Sequence, residues 1–109
     1  MKAFTDISQG KKLAEILPIE TADMRYDEYI SYIDGTPKVG YKKGVTDGIP
    51  CWSLAALLGV LPDYTLQDNP NGTVFVVSEK EKPIMSDDYD NPVDACYEMI
   101  KLLHTKHLL

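Results

Sequence analysis

Residues 49–62 read IPCWSLAALLGVLP, the most apolar stretch of the chain. Pro50 suits the first position of a helix, where its missing N–H needs no partner. Leu54, Leu57, Leu58 and Leu61 recur at i, i+3, i+4 and i+7 and form a broad apolar stripe. Ala55, Ala56 and Gly59 form a second, small-residue face that lets another element approach closely. The expectation is a helix from Pro50 to about Val60. Being apolar on nearly all sides, it would be a buried central element, with Trp52 filling the gap beside Ala55 and Ala56.

On the N-terminal side, SQGKKLAEILP predicts a first helix. Leu13, Ile16 and Leu17 share a face, Thr5 or Ser8 caps the start, and Pro18 ends it. Gly10 weakens the first turn. From Arg25 to Lys43, the β-branched and aromatic residues of YISYI, the turn residues DGTP and the return KVGYK predict a hairpin. GVTDGIP then leads into the central helix.

On the C-terminal side, YTLQD and TVFVVSE flank NPNG and predict a second hairpin. EKEK is a solvated turn, and PIMS a short last strand whose leading proline suits an edge. DNP supplies an N-cap at Asp90 or Asn91 and a proline at the first helical position. Val93, Cys96, Tyr97, Ile100 and Leu103 then carry a final helix to near the C-terminus. The expected order is α-β-β-α-β-β-β-α, an α+β class. Hairpin-linked strands imply an antiparallel sheet of about four or five strands, covered by three helices.

A length of 109 residues, 44% hydrophobic and 26% charged, fits one compact α+β domain over residues 1–109. The net charge of −6 and the scatter of the lysines give no basic face, which disfavours direct nucleic-acid binding. LAALLGVL is too short an apolar run to span a bilayer. MKAFTDISQGKK lacks the apolar core of a signal peptide, so the expected compartment is the cytoplasm, with Cys51 and Cys96 as free thiols.

Cys51 is the one residue that invites a chemical reading, because a thiol in the first turn of a helix feels the positive end of its dipole. CWSLAA resembles CWAFSA, the sequence around the nucleophile of papain-like proteases, and NlpC/P60-type hydrolases also start a helix with their cysteine. The resemblance implies a hydrolase in which His104 would serve Cys51 as base. The chain departs from those families upstream, where VTDGIP replaces their glutamine and glycines. Its two histidines, His104 and His107, both end the last helix, whereas theirs come from a strand. The bland reading, a packed cysteine in line with Leu54 and Leu58, is preferred.

No metal or cofactor is expected. SDDYDNPVD offers carboxylates without the spacing of a calcium loop, since the fifth and sixth positions from Asp88 are Pro92 and Val93. Two cysteines and two histidines far apart do not make a zinc set, and GTPKVGYKKG lacks the phosphate-loop spacing.

Seven tyrosines remain, with Tyr26, Tyr29 and Tyr32 crowded on one strand and Tyr41 on its return. Aromatics on both sides of that strand make these four a candidate partner surface. Ordinary cross-strand packing is the competing reading.

KKLAEILPIE, IPCWSLAALLGVLP and YDNPVDACYEMIKLLH together resemble a family of small proteins of bacteriophages, prophages and gut bacteria. That family has no established activity. The resemblance implies a mobile-element setting and carries over no catalytic residue. The expected function is a non-catalytic, intracellular protein-interaction or accessory factor, monomeric or homodimeric. The alternatives are a Cys51–His104 hydrolase and an acidic mimic of nucleic acid that blocks a host DNA-binding protein.

Overall fold

A computed structural model describes residues 2–26, 39–41, 49–78 and 83–109. The chain order is α1 (Ile7–Ala14), a 3-10 turn (Ile19–Thr21), β1 (Met24–Tyr26), β2 (Val39–Tyr41), β3 (Ile49–Cys51), α2 (Leu54–Val60), β4 (Tyr64–Asp68), β5 (Val74–Ser78) and α3 (Pro92–Thr105). The α+β class holds.

Among the described residues the single sheet expected is not seen. Their strands divide into an antiparallel β2-β1-β3 sheet and an antiparallel β4-β5 pair. The cause is at Ile49–Cys51, read from sequence as the run into a helix. These residues instead pair with β1, Met24 opposite Cys51 and Tyr26 opposite Ile49. Pro50 is tolerated there because β3 is an edge strand. Helix α2 therefore starts later than Pro50, with Ser53 as N-cap accepting the Ala56 N–H. The first hairpin is present in outline, since β1 pairs with β2, but its YISYI and DGTP positions lie outside the described residues.

Helix α1 starts on Asp6 rather than Thr5 or Ser8. The Asp6 carboxylate accepts the Gln9 N–H, and the Gln9 side chain accepts the Asp6 N–H, a reciprocal capping box. Gly10 lies on the face that meets β3, and a Cβ placed there would overlap the Pro50 carbonyl oxygen. Glycine at this position is what lets helix and strand approach so closely.

Thr5 is free of capping because it is wholly buried and serves the strand end. Its N–H donates to the Trp52 carbonyl at 3.0 Å, and its hydroxyl accepts the Trp52 N–H at 3.0 Å. With the Leu54 N–H donating to the Ala3 carbonyl, the N-terminal segment is laid along residues 52–54.

Beyond α2, β4 and β5 form the expected second hairpin, with Leu66 opposite Val76. The PIMS segment adds to this pair an isolated bridge, Met85 to Val77, and a second follows beyond it from Tyr89 to Val74. EKEK lies outside the described residues. Helix α3 is capped by Asn91, starts at Pro92 and packs against β5 and α2. Its expected stripe is buried in full, and Ala95 and Met99 widen it, since the helix is covered on two sides. One core cluster joins Leu13, Trp52, Leu57, Val76, Ile100 and Leu103, so the β4-β5 pair and all three helices share it.

Candidate functional site

Cys51 is fully buried on β3, not in the first turn of a helix. Its S–H donates to the Thr5 carbonyl at 3.4 Å, and the Thr5 hydroxyl donates to its sulfur at 3.7 Å. Burial pushes the thiol above its ordinary value, against the smaller effect of these hydrogen bonds. The thiol is thus neutral and closed off, and its described hydrogen-bond partners include no histidine. His104 and His107 are exposed at the end of α3. Cys96, buried among the core residues of α3, is pushed up to about 11 by burial alone.

The tyrosine surface is corrected at its first member. Tyr26 is only 8% exposed, and its hydroxyl donates to the Thr5 carbonyl at 2.7 Å. Its ring meets Phe4 edge-on, with centroids 6.2 Å apart. Burial pushes its phenol up to about 12. The alternation that put Tyr26 on a candidate outer face was not able to anticipate the N-terminal segment that covers it. Tyr29 and Tyr32 lie outside the described residues, and Tyr41 lies on β2 opposite Met24.

Two cavities are lined by described residues. One, of about 460 Å³, lies between residues 85–89 and the C-terminal half of α3, with Met85, Tyr89, Glu98, Lys101 and Leu102 in its wall. Two of its charged side chains, Glu98 and Lys101, engage each other. Lys101 pairs with Glu98 at 3.3 Å and lies 4.9 Å from the centre of the Tyr97 ring. The Tyr89 phenol is raised by burial and, less, by the nearby Glu98 and Asp87 carboxylates.

The other cavity is an open groove of about 650 Å³ along α2. Ala55, Ala56 and Gly59 form its floor, Leu17, Val60 and Leu109 its apolar walls, and Thr21 and Asp23 one polar edge. This is the small-residue face visible in the sequence, but no element of the described residues fills it. Ala55 and Gly59 are exposed, and a Cβ added at Gly59 would meet nothing within 4 Å. Trp52 does not fill the gap. It turns inward, wholly buried, with its Nε1–H donating to the Thr21 hydroxyl at 3.0 Å.

The polar edge is held in place by the α2 cap. Asp23 accepts both the Ser53 N–H, at 2.9 Å, and the Ser53 hydroxyl. Four large apolar side chains are exposed among the described residues: Ile19 (43%), Met85 (52%), Leu108 (55%) and Leu109 (48%). Leu109 lines the groove, and Ile19 and Leu108 adjoin lining residues in the chain. The sequence signal for this site is the Ala55-Ala56-Gly59 face, whose small residues suit internal packing equally well.

Among the described residues, no group of three histidine, cysteine, aspartate or glutamate side chains is placed to hold a metal ion. No helix there is long and apolar enough to cross a membrane. Compared with known proteins, the chain matches no family model, no curated protein and no solved structure.

Proposed function

We propose that the chain is a small non-catalytic interaction factor of a phage or other mobile element, acting on a protein of its bacterial host. The observation that carries this reading is the open α2 groove, lined by Leu17, Val60 and the exposed Leu109 over a floor of Ala55, Ala56 and Gly59. A contiguous apolar concavity is a mark of protein docking, whereas apolar side chains exposed singly are ordinary surface. The closed environment of Cys51 supports the same reading, since a nucleophile must reach both substrate and base.

The test is capture of a partner from lysate of a bacterium that carries the gene, with the partner identified and the capture repeated with Gly59→Arg. Retention by the parent chain and loss with Gly59→Arg is the expected result. Tyr29→Ala and Tyr32→Ala, tested in parallel, separate the tyrosine strand from the groove. No specific partner at micromolar concentration overturns the reading.

A further inference from the structure

We propose that the α2 groove receives an amphipathic helix of a partner protein, its aliphatic ridge seated over Gly59 and a lysine or arginine facing Asp23. This rests on the interaction reading above and names the chemistry of the partner.

The groove's floor selects a helix over an extended strand. A strand binds by adding main-chain hydrogen bonds to an open edge. The floor here is the side of α2, whose amide groups are spent within the helix itself. A helix arrives with its own backbone satisfied and needs only side-chain packing. Ala55 and Gly59 lie one turn apart, and small residues at that spacing let two helix axes come close. The space above Gly59 is open to an incoming aliphatic side chain, in a groove that Leu17, Val60 and Leu109 also line.

Charge then selects the partner. Among the described residues Asp23 is the one charged side chain in the lining, and it is exposed. Its two bonds from Ser53 leave carboxylate lone pairs for a further donor. The chain as a whole carries −6, which draws a basic partner and repels an acidic one. The same facts disfavour a second copy. Two-fold pairing would bring an Asp23 from each copy into the interface, with no cation among the described lining residues to pair it.

The experiment uses the full chain and a fluorescent helical peptide with leucines at i, i+3, i+4 and i+7 and lysines on its flanks. A matched peptide carries glutamates in place of the lysines. Binding of the leucine–lysine peptide is expected to weaken at least about tenfold on Gly59→Phe. The leucine–glutamate peptide is expected to bind the parent chain about tenfold more weakly or worse. Ala55→Arg, at an exposed position, repeats the test should Gly59→Phe fail to fold by circular dichroism.

Unchanged peptide binding in the folded variants overturns the proposal, as does equal binding of the two peptides. A parent chain that elutes as a dimer, with Gly59→Phe monomeric, assigns the groove to a second copy and also overturns it. So does uptake of a small apolar dye, lost on Gly59→Phe, in a chain that ignores both peptides. If a lysate partner is captured in a Gly59-dependent way but the leucine–lysine peptide does not bind, the interaction reading stands and the helix proposal falls. If neither binds, both fall.

Discussion

The Lys2 ammonium lies 2.8 Å from the Asp94 carboxylate, joining residues 92 positions apart in the chain. Gln9 donates to the same Asp94 oxygen at 2.8 Å, and Asn91 to the other. One carboxylate in the first turn of α3 thus gathers the N-terminal segment, α1 and its own helix cap.

Stability should depend on pH through this pair at both ends of the scale. Burial alone would raise the Asp94 pKa, but donation from Lys2, Gln9 and Asn91 outweighs it and holds the group below its ordinary 3.8. Its contribution is therefore complete above that value and is lost as the pH falls through the lower folded value. Lys2 behaves in the opposite sense. Burial lowers it, the bonds to Asp94 and Asp6 outweigh that, and the net shift is above 10.5. Its contribution is complete below that value and is lost as the pH rises through the folded one. Asp94→Asn should cost about 1 kcal/mol at neutral pH and flatten the acid limb of a urea-midpoint profile.

Gly10→Ala and Gly59→Ala should have opposite signs, although both residues are helical glycines. At Gly10 the added methyl meets the Pro50 carbonyl, and overpacking of about 1–3 kcal/mol should exceed the gain in helix propensity. At Gly59 the methyl meets nothing, so the variant should gain up to about 1 kcal/mol. Chemical denaturation of the two variants beside the parent chain checks both.

Neither cysteine should react with a disulfide reagent at about pH 8 while the chain is folded. Both thiols are wholly buried and raised, Cys96 to about 11. Modification should appear only as denaturant unfolds the chain, in step with the fluorescence of Trp52, the single tryptophan. Fast labelling of one thiol in the native chain would reinstate a reactive Cys51.

Thr5→Val should be more damaging than Tyr26→Phe. Removing the Tyr26 hydroxyl leaves the Thr5 carbonyl with the Cys51 S–H, so about 1 kcal/mol is expected. Removing the Thr5 hydroxyl leaves the Trp52 N–H unpaired in the interior, for a loss of about 2 kcal/mol. Thermal melts of the two variants give the order.

Where an element's signal is local, the sequence was enough to read it. Helix α3 carries its cap, its first-position proline and its stripe within its own residues, and all of them hold. The run from Ile49 to Val60 was misread at its start because the deciding partner is distant. Ile49–Cys51 is a strand only by virtue of Met24–Tyr26, and Pro50 beside a leucine stripe resembles a helix start equally well. The capping residue was misplaced for a similar reason. Thr5 is a good cap by type, but the backbone of Trp52 claims its hydroxyl, leaving Asp6 to the helix. The groove was half legible. The small-residue face is plain in the sequence, but whether another part of the chain would fill it depends on where α1 and α3 come to rest.

The close seat of Gly10 on Pro50 bears on how the chain acquires its structure. Helix α1 is eight residues long, too short to persist alone in water. The surface that steadies it is the backbone of β3, some forty positions onward, and β3 in turn exists only beside β1. Residues 7–14 therefore become durable only after the strands have paired, however early they leave the ribosome. Cut away from β3, the first third of the chain would not be an autonomous folding unit.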